Sequence, residues 1–214
     1  MDTILTLDNI EIMAGMAFKN GLKLHDDSIT LFNSKSYSTA FFLSVLALEE
    51  FGKAYMLDDM WFHKSLNENS SLENELKDLK RLYEHKTKQL YFIQNIRWSG
   101  RQNKLLQEIE KGSFEILKQN SIYVGLKKLN KKIVFEKNIN NPSRHNKSKT
   151  RDLITLINDK LLIDCISEIK EFGGPDIDSV SRQLNKKLYN KLIWAWPLKG
   201  KRTDKELSEM LEAN

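Results

Sequence analysis

Residues 44–57 read SVLALEEFGKAYML, and this stretch decides the fold. From Ser36 through Leu57 the only charged side chains are Glu49, Glu50 and Lys53, set inside an otherwise apolar run. Plotted at 100° per residue, the apolar side chains point in every direction, the pattern of a helix packed on several sides rather than one lying on a surface. A long central helix beginning near Ser36 is therefore expected. On it Glu49 and Lys53 stand four residues apart in the favoured pairing orientation, while Glu50 points about 100° away, among Leu43, Leu46, Ala54 and Leu57. Glu50 is thus the carboxylate expected to be buried, either neutral, hydrogen-bonded or matched by a cation from another element. Gly52 costs about 1 kcal/mol relative to alanine in mid-helix, which points to a close approach by another backbone or a ligand.

Outward from this helix the same periodicity recurs. Ile10, Met13, Ala14 and Ala17 follow Asp8, a plausible N-cap, and predict a first helix running toward Lys23 or beyond. After a polar loop at 67–74, Leu72, Leu76, Leu79 and Tyr83 set a stripe that resumes at Leu90 and Ile93, predicting a third long helix. Ile122 to Leu126 and Ile133 to Phe135 flank a lysine-rich turn, which reads as a small β-hairpin near 121–137. Residues 138–150 read as an exposed, poorly ordered loop. Helical pattern returns from Arg151 to Phe172 and stops at Gly173-Gly174-Pro175, a further helix runs from about Asp176 to Trp196, and Thr203 to Glu206 form a capping box for a short last helix. The expectation is one all-α domain over 1–197, with the basic hairpin and loop at 121–150 inserted, followed by a tail at 198–214.

Cys165 is the only cysteine, which excludes an intramolecular disulfide and a cysteine-based zinc site. No signal-peptide pattern and no run of eighteen apolar residues occurs, so a cytoplasmic protein without membrane contact is expected. The net charge of +5 conceals a division. Residues 1–75 carry 5 Lys+Arg against 12 Asp+Glu, a net −7, whereas residues 111–151 carry 11 against 2, a net +9. Such a concentration suits a polyanion, RNA or DNA first, while composition alone favours a solvated lysine-rich surface.

The stripe of the third helix is interrupted where His85, Lys86 and Lys88 occur, and Lys86 holds a position the stripe would give to leucine. If this turn faced Glu49, Glu50 and Lys53, one pocket would hold an imidazole, two carboxylates and several cations, a set suited to acid/base work on a phosphodiester. Histidine titrates near neutral pH and can move the proton of a ribose 2′-hydroxyl, while lysine or arginine stabilises the charge on phosphorus. Arg81, one turn before His85, would share that face. The competing description is a buried ion-pair network that fixes helix register, a snorkelling Lys86 and a surface His85.

The words ALEEFGKA (Ala47 to Ala54), HKTK (His85 to Lys88) and IYV (Ile122 to Val124), in this order and spacing, resemble the AbiV family of bacterial abortive infection proteins. That family is similar to the HEPN superfamily, helical domains that commonly dimerise and include many metal-independent endoribonucleases of anti-phage and toxin systems. The resemblance covers roughly residues 8–175 and is strongest in the first word. It points to Glu49, Glu50, Gly52 and Lys53, and to His85, Lys86 and Lys88. HEPN ribonucleases usually separate an arginine from a histidine by four to six residues; here Arg81 and His85 have three between them, and Arg144 directly precedes His145.

The resemblance implies a HEPN-like helical bundle, homodimeric, that halts phage multiplication by acting on RNA or on translation. His85 would be the acid/base, with Arg81, Glu50, Glu49 and Lys53 in the catalytic group. Lys86, Lys88, Lys127, Lys128, Lys131, Lys132, Arg144 and Lys147 would hold the substrate. No metal and no cofactor is expected; the expected partners are a second copy of the chain and RNA or the ribosome, with a phage-encoded protein as a candidate activator. One alternative is a non-enzymatic dimeric module that binds nucleic acid, a ribosome or a phage protein. Another, a carboxylate-bridged metal enzyme, is disfavoured by the absence of the Glu-x-x-His pairs such bundles use.

Overall fold

The turn at Ser34 to Ser36 sets the architecture. A first helix, α1 (Leu7–Asn33), ends where Lys35 adopts a left-handed φ of 66° and the Ser36 amide donates back to the Leu31 carbonyl at 2.9 Å. This closure satisfies the last carbonyls of α1 and sends the chain straight into α2 (Tyr37–Leu66), which packs antiparallel along it. Thr6, rather than Asp8, caps α1, its hydroxyl accepting from the Asn9 amide at 3.1 Å.

The computed structural model describes residues 5–66, 72–94, 100–125, 128–129, 132–133, 139–144, 147–171 and 179–196. Within them follow α3 (Leu72–Arg81), α4 (His85–Ile93), α5 (Gly100–Glu110), α6 (Ser113–Ile122), α7 (Lys147–Glu171) and α8 (Lys186–Ala195), so the fold class is all-helical as expected. The central position expected for α2 is also found, since α1, α4, α6 and α7 all pack on it. Aromatic rings join these layers: Phe51 of α2 meets Phe18 of α1 edge-on at 5.3 Å and stacks on Phe92 of α4 at 5.1 Å, and Phe41 meets Phe114 of α6 at 5.8 Å. Helix α7 closes the core with Leu153, Leu156, Ile157, Leu161 and Ile163, all buried. Among the described residues no helix is long and apolar enough to cross a membrane.

Several expectations are corrected. The third long helix is two helices, because the Leu82, Tyr83 and Glu84 amides donate three residues back and Glu84 becomes extended. Helices α5 and α6 occupy a region with no predicted element. Ile122 to Gly125, within the expected first strand, is not a strand: Ile122 ends α6, and Gly125 makes an isolated bridge to Asn140. Among the described residues Lys128–Leu129 (β1) and Lys132–Ile133 (β2) pair, antiparallel over two residues each, while Val134 and Phe135 lie outside the described residues. The loop is shorter than expected, for α7 starts at Lys147 and Asn140 ties it to the end of α6 through its side-chain amide, which donates to the Asn120 and Tyr123 carbonyls at 2.8 and 2.6 Å. The helix predicted from Asp176 begins at Lys186, capped by Asn185, whose side chain accepts from the Lys187 and Leu188 amides. The predicted tail helix lies outside the described residues.

Candidate functional site

Gly52 is where α2 and α4 touch. A Cβ built on it would stand 1.8 Å from the Lys88 carbonyl oxygen, so only glycine lets the two backbones come this close. That contact draws the first turn of α4 over the turn of α2 that carries Glu49. The facing of these two turns, anticipated from the interrupted stripe, is therefore realised.

Glu49 lies at the centre, only 4% exposed. Its Oε2 is 2.8 Å from His85 Nδ1, and its Oε1 accepts from Gln89 Nε2 at 2.9 Å and from Lys118 Nζ at 3.1 Å. Lys88 Nζ stands 3.9 Å from Oε2. A carboxylate on Nδ1 selects the tautomer that carries its proton there, which leaves the Nε2 lone pair as the acceptor. The His85 side chain is 50% exposed, so the ring bridges a buried anion and the surface.

The cations around Glu49 are buried as well. Lys118 pairs both with Glu49 and, at 2.6 Å, with Glu115 one turn before it on α6. Burial would raise the Glu115 carboxyl, but hydrogen bonds from Lys118 and Gln119 and the charge of Lys118 outweigh it and hold the group below its ordinary value. For Lys88 burial wins: loss of water lowers its ammonium, with Lys53 and Lys118 adding to the effect and Glu49 and Glu50 opposing it. One carboxylate oxygen each of Glu49 and Glu115 and one ring nitrogen of His85 lie within 4.8 Å of one another, a spacing a metal ion could bridge, with the Lys118 ammonium against both carboxylates.

The other expected site residues fall in different places. Glu49, not Glu50, is the buried carboxylate. Phe42, Leu43, Leu46, Glu50 and Lys53 form the partly open face of α2, and Lys53 pairs with Glu50 at 2.6 Å instead of with Glu49. Glu50 also accepts from Asn20 Nδ2 at 3.1 Å. The helical wheel favoured Glu50 because it could not show that α6 covers the Glu49 side. Arg81 does not share a helical face with His85, since the chain breaks between them; its guanidinium lies 3.6 Å from Asp78. Lys86 is exposed, and the inward positions belong to Lys88 and Gln89. Lys147, the first residue of α7, lies 5.4 Å over the Tyr37 ring. Lys128 and Lys132 are in β1 and β2, Arg144 ends a 3-10 turn from Pro142, and Lys127 and Lys131 lie outside the described residues.

Sequence reasoning missed Gln89, Glu115 and Lys118. The signal for Lys118 was available: Phe114, Lys118 and Ser121 share one buried face of α6, so a lysine interrupts an inward stripe there as Lys88 does on α4.

A second histidine behaves differently. His25 of α1 is wholly buried, its Nε2 3.4 Å from Asn158 Oδ1 of α7, and desolvation lowers its pKa to about 4. Cys165 is buried too, and burial followed by the charges of Asp164 and Glu168 pushes its thiol up to about 12, which excludes a thiolate nucleophile at neutral pH.

The profile of the HEPN_AbiV family, described as AbiV, matches residues 10–162. The chain belongs to the AbiV family. The matched span takes in every member of the polar network of this AbiV protein, from Glu49 through His85, Lys88 and Gln89 to Glu115 and Lys118. No curated protein and no solved structure matches significantly.

Proposed function

We propose that this AbiV protein is a cytoplasmic anti-phage abortive infection effector that acts on RNA as a HEPN-like endoribonuclease. The observation that carries the proposal is the pairing of a half-exposed His85 with a buried Glu49 among lysines. With Nδ1 held by Glu49, Nε2 takes the proton of a ribose 2′-hydroxyl. The 2′ oxygen then attacks phosphorus, the bond to the 5′ oxygen breaks, and the proton passes to that oxygen, giving a 2′,3′-cyclic phosphate and a free 5′-hydroxyl. Lys86, exposed in the same first turn, meets the phosphate, as do the first-turn amides of α4, whose N-cap Glu84 makes no side-chain cap. Lys88 and Lys118 are too buried to reach a phosphate and act through Glu49. The basic segment from Lys127 to Arg151 holds the strand by its phosphates. A homodimer belongs to the same reading, supported by the partly open apolar stripe of Phe42, Leu43 and Leu46, and so does a phage-encoded protein as the activating partner.

Purified protein incubated with RNA tests this: His85→Ala should cleave about 100-fold or more slowly than wild type. Equal cleavage removes His85 from the mechanism. A second reading, a non-catalytic module binding nucleic acid, a ribosome or a phage protein, is favoured by the completeness of the network, since both Glu49 oxygens have partners without a substrate. Binding that weakens steeply with salt, without turnover by wild type, would select it.

A further inference from the structure

Glu49, His85 and Glu115 are the kinds of ligand that bind zinc or manganese, and their donor atoms lie within 4.8 Å of one another. They come from three different helices, α2, α4 and α6, so the fold rather than local sequence brings them together. What stands between the two carboxylates is an ammonium: Lys118 Nζ is 3.1 Å from Glu49 and 2.6 Å from Glu115, and the residue is 6% exposed. Its stem rises from the buried face of α6, beside Phe114 and Ser121. A buried lysine shared by two carboxylates from different helices neutralises the charge that a divalent ion would otherwise neutralise.

We propose that Lys118 is the resident cation of this site, holding the position between Glu49 and Glu115 that a transition metal would take, and that its removal converts the three ligands into a divalent metal site. The half-exposed His85 ring provides the approach, and water completes the coordination, as in open zinc sites with three protein ligands. The inference is independent of RNA cleavage, because it concerns the charge balance of the network alone.

Titration of purified full-length protein with zinc chloride decides it, read by calorimetry and by thermal unfolding. Lys118→Ala should bind one zinc ion per chain at least about tenfold tighter than wild type, with a rise in Tm on zinc addition. Adding His85→Ala to Lys118→Ala should abolish that gain. A folded Lys118→Ala chain with no zinc response overturns the proposal, as does a response that survives loss of His85 or one that wild type matches. Should Lys118→Ala not fold, Lys118→Met keeps the stem and removes only the charge. Glu115→Gln should then raise the Tm of Lys118→Met while lowering that of wild type; a change of the same sign in both backgrounds contradicts the resident-cation role.

Discussion

His85 and His25 sit on helices of one bundle and each contacts a buried polar group, yet their surroundings are opposite in kind. His25 is sealed between α1 and α7 against a neutral amide, Asn158, and is held uncharged at neutral pH. His85 stands at the first turn of α4, half in water, with the Glu49 carboxylate behind it and lysines around that carboxylate. Burial with a neutral partner makes a histidine part of the core, whereas a carboxylate behind it and solvent in front equip it to move protons.

The contrast is easiest to break at Glu49. Glu49→Ala would leave Lys118 and Lys88 without their shared buried anion, and urea unfolding should show a loss of about 3–5 kcal/mol. Its sequence neighbour Glu50 is partly exposed, so Glu50→Ala should cost under about 1 kcal/mol. Equal losses would mean that the two carboxylates are not distinguished by burial.

For His25 the sign follows from linkage. Between pH 6.5 and about 4 the unfolded chain binds a proton there that the folded chain does not, so stability falls as the solution is acidified through that window. The loss from this group should approach about 3 kcal/mol, and His25→Gln should flatten the slope in unfolding measured from pH 7 to pH 4. An unchanged slope would show that His25 takes up its proton equally in the folded and unfolded chains.

Gly52→Ala should destabilise by about 1–3 kcal/mol by forcing α4 off α2. Because His85 is carried on α4, the same change should slow the proposed RNA cleavage even in the fraction that stays folded. The smallest expected effect is on the stability of His85→Ala, within about 1 kcal/mol, because the ring is half exposed and Glu49 keeps Gln89 and Lys118.

Much of this site was legible in sequence, and the reason is periodicity. A run from Ser36 to Leu57 with charge at a single turn could only be a core helix with a polar inclusion, and a stripe broken at His85 to Lys88 marked its partner. Gly52 signalled the close approach between them. What periodicity could not resolve was which of two adjacent glutamates faces inward, since a helix apolar on all sides has no preferred direction. That choice was made by α6, hidden because its inward face carries Lys118 and Ser121 and because Ile122 to Val124 looked like the start of a strand. The break after Arg81 was hidden as well, because Leu79 and Leu90 fit one continuous stripe and the three-residue turn between helices leaves no glycine or proline behind. The basic residues beyond α6 were visible as composition, and composition alone does not place them against His85.

The claim that His85 works while His25 only packs is met most directly by plaque formation on bacteria that express the protein. His85→Gln, accumulating to the wild-type level as soluble protein, should lose protection against phage. Full protection by that variant would contradict the account.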